Sequence, residues 1–274
     1  MIRRRYVDVP FGQVHVAMTG HATGGTEPGV PLVLLHQTPR SSDEFAEVLA
    51  IIGDERPAIA IDLPGMGASD PHPHGASIEH FAEGAIAAID GLGVDTFDLA
   101  GHHTGGVVAI EIAATAPGRV RRLVLSSTPL IDAEGRQARR ERPPIDAVEV
   151  ADDGSHLSEL WRRRQRFYPQ HRPDLLARFV TDALRAADPE AGHRAVARYE
   201  MESRVPLVQA QTLVIGHADD PYAFKEMEPL AAALEAPMVT IDGGMVPLEF
   251  TAERFARELR SFLSSAHPTS QRPR

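Results

Sequence analysis

The sequence predicts an α/β fold: an eight-stranded, mostly parallel sheet flanked by helices, with a helical lid inserted after strand 6. Three observations lead there. Short β-branched runs alternate with amphipathic helical stretches, the rhythm of a parallel sheet covered on both faces. Apolar residues recur at helical spacing between those runs, and the strand rhythm stops for one long stretch rich in Arg and Glu. A chain of 274 residues is long enough to bury one large core of this kind.

Residues 6–9 and 14–18 read as two opening strands joined as an antiparallel hairpin around Gly12. Further strands are expected at 32–35, 58–61, 97–100, 123–125, 213–215 and 238–241. Ile78, Phe81, Ala85, Ala88 and Leu92 make one helical face, and Phe255, Leu259, Phe262 and Leu263 make another; both should cover the sheet. The expected division is a core of residues 1–130 and 206–265, a lid of 131–205 broken by Pro143 and Pro144, and a flexible tail of 266–274. Leu157, Leu160, Trp161, Phe167 and Tyr168 recur at helical spacing in the lid, with Arg164 on the same stripe.

Composition narrows the chemistry. With no cysteine, disulfides, thiolate catalysis and cysteine-bound metals are excluded. The formal charge of −10 disfavours nucleic acid and anionic membranes, which leaves a small molecule as the expected partner. No run of eighteen apolar residues is present, and the start lacks the apolar stretch of an export signal, so a cytoplasmic location is expected.

Gly101-His102-His103-Thr104-Gly105, placed between a strand and a helix, resembles the nucleophile elbow of the α/β-hydrolase superfamily. His36-Gln37-Thr38-Pro39 resembles that family's oxyanion loop, with Gln37 where glycine is usual. Asp62-Leu63-Pro64-Gly65-Met66-Gly67-Ala68-Ser69 resembles the turn of its epoxide hydrolase, haloalkane dehalogenase and carbon-carbon hydrolase branch. The resemblance implies an oxyanion hole built from the backbone N–H groups of Thr38 and Thr104.

At the catalytic positions the chain departs from the family. His103 stands where serine, cysteine or aspartate is normal, and Met245 stands where the family has its general-base histidine. The acid loop, Gly216-His217-Ala218-Asp219-Asp220, keeps a carboxylate. Asp219 fits the family's G-x-x-D spacing better than Asp220. Imidazole titrates near neutral pH, so His103 is read as a general base supported by Asp219, with a covalent acyl-imidazole ranked second.

Substrate contacts are expected from His36, Gln37, Arg40, His102, Trp161, Arg164, His217 and Met245. Arg164 and Arg40 are the candidates for a carboxylate, although a packed stem or a salt bridge accounts for each equally well. A metal is weighed at His36, His102, His103, His217 and Asp219 and set aside, because three converging ligands are not evident. No cofactor is expected. His72, His74 and His193 are read as surface or packing residues, and Ser41, Ser42, Ser126 and Ser127 as turn residues without a base.

The expected function is hydrolysis of an ester, lactone or carbon-carbon bond in a small, partly apolar molecule, without a serine acyl-enzyme. Lyase, isomerase, cyclase or cofactor-free oxygenase chemistry is the first alternative. A catalytically silent binding protein is the second.

Overall fold

The computed structural model describes residues 1–20 and 29–264. The chain runs β1 (Arg3–Val9), β2 (Gly12–Thr19), β3 (Leu32–Leu35), α1 (Ala46–Ile52), β4 (Ala58–Ile61), α2 (Ile78–Gly91), β5 (Phe97–His102), α3 (Thr104–Thr115) and β6 (Val120–Ser126). The insertion follows as α4 (Ala133–Arg140), α5 (Ser155–Arg164), α6 (Pro173–Arg185) and α7 (Ala191–Val196). The sheet resumes with β7 (Gln211–His217), α8 (Phe224–Ala233), β8 (Met238–Ile241), α9 (Pro247–Phe250) and α10 (Ala252–Ser264).

All eight expected strands are present, in the order β1-β2-β4-β3-β5-β6-β7-β8. β1 and β2 pair antiparallel, as do β2 and β4, and every later pair is parallel. Covered on both faces, the central strands are buried along their whole length, and they read as continuous apolar runs. Asp98 in β5 is the charged exception, and Arg56 and Arg121 reach it at 2.6 Å.

Two clusters form the core, one on each face of the sheet. α2, α3 and α8 pack on one face, and the expected stripe Ile78, Phe81, Ala85, Ala88 and Leu92 is fully buried there. α1 and α10 pack on the other, through Leu49, Phe255 and Leu259. The expected tail of 266–274 lies outside the described residues. Among those residues, no helix is long and apolar enough to cross a membrane.

The insertion is helical as expected, yet its own apolar cluster is small: Leu160, Phe179 and Ala183. The proposed lid stripe is interrupted, because α5 stops at Arg164 and a 3₁₀ turn carries Phe167. Leu157 is 45 % exposed and Trp161 half-buried, so neither packs as the spacing suggests. The lid is joined to the core by Ala195, Tyr199 and Met201, which pack into the first core cluster, and by charge. Arg40, in the loop after β3, is fully buried; its Nε meets Asp182 of α6 at 2.9 Å, and its Nη2 meets Glu249 of α9 at 2.9 Å. Arg178 of α6 adds Asp43 and Glu47, each at 2.6 Å. Arg40 is therefore a tie between lid and core, a correction to its expected place at the substrate.

A buried ion pair contributes little net stability when intact, but removing one partner strands the other charge at a cost of about 3–5 kcal/mol. Arg40→Met leaves Asp182 and Glu249 without their shared cation. Urea unfolding of this variant is expected to show a loss of about that size, and a loss near zero would contradict the tie.

Candidate active site

The carboxyl ends of β3, β5, β7 and β8 bring their loops together, as open α/β sheets do. At the centre is the turn from β5 into α3, where His103 adopts φ 47° and ψ −114°, a strained geometry for a residue with a side chain. Close backbone contact enforces it. A Cβ on Gly101 would lie 2.2 Å from the Gly105 carbonyl oxygen, and one on Gly105 would lie 2.0 Å from that of Leu35. The His103 N–H donates to the Ser126 carbonyl at 3.0 Å, which pins the turn to β6.

The His103 ring is 14 % exposed, and its Nε2 lies 2.9 Å from Oδ2 of Asp220, whose side chain is wholly buried. The pair is at ion-pair distance without the alignment of a hydrogen bond. Asp220 is fixed through its other oxygen, Oδ1, which accepts the N–H groups of Tyr222 at 2.9 Å and Ala223 at 3.2 Å. Burial pushes its carboxyl up, but the facing imidazole and those donors outweigh it and hold Asp220 well below the usual carboxylate range.

The acid that meets the ring is thus Asp220, and the expectation of Asp219 is corrected. β7 continues through His217, and the Asp220 N–H donates back to the His217 carbonyl at 2.9 Å. That turn leaves Asp219 exposed on its outer corner and returns Asp220 inward. Counting from Gly216 misses this by one residue; counting from the true strand end finds it.

His36, His102 and His217 sit behind the site, fully buried, and are not at the substrate surface. His36 accepts the Leu63 N–H at Nε2 (2.9 Å) and donates from Nδ1 to the Gln37 carbonyl (2.8 Å), so its tautomer is fixed. Ser126 Oγ bridges His102 Nδ1 at 2.9 Å and His217 Nε2 at 3.1 Å. Burial drives His102 well below the usual imidazole value, with His103 and His217 adding to the effect. Burial likewise lowers His217 to about 4, and the charge on Asp220 opposes it only in part.

Above the turn is a cavity of about 420 Å³. Its floor holds His103, Thr38, Thr104, Gln37 and Met245, five of the expected site residues. Gln37 is held by Glu44, which accepts its N–H at 3.0 Å and its side-chain amide at 2.6 Å. No described residue accepts the backbone N–H of Thr38 or Thr104. The Thr38 hydroxyl is buried without a hydrogen-bond partner among the described residues. Trp161 does not line this cavity.

From the lid, Arg164 reaches the wall, but Asp146 already takes its Nε at 2.6 Å and the His193 Nε2 at 2.9 Å. Burial alone would raise the Asp146 carboxyl, yet His193 and Arg164 together bring it below its ordinary value. His193, Glu190, Arg139 and Tyr222 also line the cavity and were missed in the sequence. They lie in the lid or beyond the acid, where no motif marks a register.

Among the described residues, one group places three metal-type ligand atoms within 4.8 Å of one another: His72, His80 and Glu83. It lies outside the cavity. The two rings stack 17° from parallel with centroids 4.1 Å apart, so their in-plane lone pairs run side by side and do not converge on one ion.

A parallel sheet with an inserted helical lid, and a strained strand-to-helix turn under a cavity, define a hydrolase-type α/β scaffold. The chain belongs to the alpha/beta hydrolase fold family, which matches residues 30–244. It is 36% identical over 101 residues to a dihydrolipoyllysine-residue acetyltransferase component of an acetoin cleaving system from Pseudomonas putida, covering 37% of this chain and 27% of that protein. The chain thus spans about a quarter of that relative's length. In fold it is similar to the enol-lactonase of Burkholderia xenovorans LB400, at TM-score 0.76 and 18% identity over 95% of this chain and 100% of the other. It is equally similar to an E-2-(acetamidomethylene)succinate hydrolase, at TM-score 0.76 and 19% identity over 97% and 100%.

The low value of His217 carries a signed consequence. Its folded value lies below that of a free imidazole, so the folded state resists its protonation; stability is full above about pH 6.5 and falls as pH drops toward 4. Between pH 7 and pH 5 this one ring should account for about 2 kcal/mol of lost unfolding free energy. Urea unfolding at both pH values should show that drop in the wild type and a smaller one in His217→Gln. Equal slopes would contradict it.

Proposed function

We propose that the protein hydrolyses an ester or lactone of a small, partly apolar molecule, with His103 as general base. The observation that carries this reading is the contact of His103 with buried Asp220 on the floor of the cavity. In the neutral ring the carboxylate favours the proton on Nε2, which leaves the lone pair on Nδ1. No described residue occupies that nitrogen.

The step that follows is simple. Nδ1 takes a proton from water, and the hydroxide attacks the carbonyl carbon. The oxyanion is received by the N–H groups of Thr38 and Thr104, the latter at the start of α3. Asp220 stabilises the imidazolium, which returns its proton to the departing alkoxide as the bond to carbon breaks. Met245, lining the cavity where the family has its histidine, takes no part in moving the proton. The relatives' names, an enol-lactonase and a succinate-derivative hydrolase, agree with hydrolysis as the reaction class.

A panel of p-nitrophenyl esters and small lactones tests it. His103→Ala should lower kcat/KM by about 10²–10⁴-fold, and Asp220→Asn by at least tenfold. Asp219→Asn should stay within about twofold, as exposed residues away from a site usually do. A fluorophosphonate probe should leave the protein unlabelled. Unchanged turnover in His103→Ala, or stoichiometric labelling of a serine, would refute this reading; binding without turnover would favour a silent receptor.

A further inference from the structure

The lid wall of the cavity is basic, and most of its charge is unused. Arg139, Arg140 and Arg142 reach it from the end of α4 and the loop beyond, and Arg194 and Arg198 from α7 and its end. Partners can be assigned one by one. Arg164 is neutralised by Asp146, and Arg194 pairs with Asp188. Glu190, the carboxylate on this wall, spends one oxygen on the backbone N–H groups of Ile145, Asp146 and Ala147 and forms no ion pair with an arginine among the described residues. Arg139, Arg140, Arg142 and Arg198 have no carboxylate within ion-pair distance among the described residues. Arg140 donates to the Ala197 carbonyl at 3.0 Å, and Arg139 to the Gly135 carbonyl of its own helix at 3.1 Å.

Other lid arginines, Arg136, Arg163 and Arg178, do find carboxylate partners; what sets this group apart is that its members converge on one cavity. Arg139 is the sharpest case, because it is half-buried. Burial and the neighbouring charge of Arg142 work against its cation, while Glu226 and Asp132 support it from beyond contact distance. A partly desolvated guanidinium with most of its five donors free is a place where an anion would be held.

We propose that this wall is a subsite for a carboxylate of the substrate, with Arg139 as anchor and Arg142 and Arg198 at the mouth. The inference rests on the hydrolytic reading only in assigning the acid to the substrate. The cavity is also lined by the apolar side chains of Val107, Pro129, Val196 and Met245, so the ligand has an apolar body beside its acid. A planar carboxylate matches the guanidinium fork and tolerates those apolar neighbours better than a doubly charged phosphate.

Phenylacetate and phenylacetamide share a body and differ in charge, so their binding by calorimetry at low salt isolates the subsite. Wild type and His103→Ala should both bind phenylacetate about tenfold or more tighter than the amide, a gain typical of hydrogen bonds to a charged group. The preference should shrink severalfold in Arg139→Gln, and also in Arg198→Gln, a second variant from a different element, just after α7. Equal binding of acid and amide, an undiminished preference in both variants, or inorganic phosphate competing as well as phenylacetate would overturn the proposal. Because the preference is read in His103→Ala as well, loss of the catalytic reading leaves this test standing, and turnover of neutral esters without acid preference would remove the subsite alone.

Discussion

The site depends on one backbone constraint, the turn that holds His103 at positive φ between β5 and α3. Gly101 and Gly105 allow β3, the turn and α3 to approach at distances that no side chain would permit, and the Ser126 carbonyl fixes the turn from the neighbouring strand. The residue at that turn is pointed into the cavity whatever its chemistry, because α3 behind it is buried through its first three turns. A scaffold made to present an oxygen or sulfur nucleophile here presents an imidazole. Met245 lines the same cavity with a side chain that neither donates nor accepts a proton.

Asp220 gives the imidazole its direction. Its backbone hydrogen bonds keep one oxygen occupied and leave the other facing Nε2, so the carboxylate acts on the ring as a fixed charge in a poorly solvated place, where electrostatic effects are strong. Beneath this pair, His102, Ser126 and His217 form a neutral polar layer in which the serine hydroxyl links two rings. Those rings bond to the serine hydroxyl, which leaves His103 as the ring that faces the Asp220 carboxylate. The lid's own apolar core is minor; its end packs into the main core through Ala195, Tyr199 and Met201, and α6 is tied down by Arg40 and Arg178.

The sheet and the elbow were legible in the sequence because both have strict local signatures. Short apolar strand runs follow from a sheet covered on both faces, helical stripes follow from backbone geometry, and glycines flanking a strand-to-helix turn follow from sterics. The floor residues His103, Thr38, Thr104, Gln37 and Met245 were readable for the same reason. Asp219 was preferred to Asp220 because motif spacing was counted from a glycine, whereas the side-chain direction is set by where β7 ends. Arg40 looked like a substrate contact because sequence shows a charge but not the two carboxylates that converge on it from residues 182 and 249. The lid was the least legible part, since its helices are tied by long-range ion pairs that leave no periodic trace, and the basic wall emerges only when those pairs have been assigned.

The proposed mechanism turns on Asp220 placing the His103 proton on Nε2, which leaves the lone pair on Nδ1. Nitrogen-15 NMR of the histidine rings, with His103 assigned by its absence in His103→Ala, measures this directly. In the neutral form of the ring the proton is expected on Nε2, shifting toward a mixed tautomer in Asp220→Asn. A neutral ring carrying its proton on Nδ1 in the wild type, or one unmoved by Asp220→Asn, would contradict it.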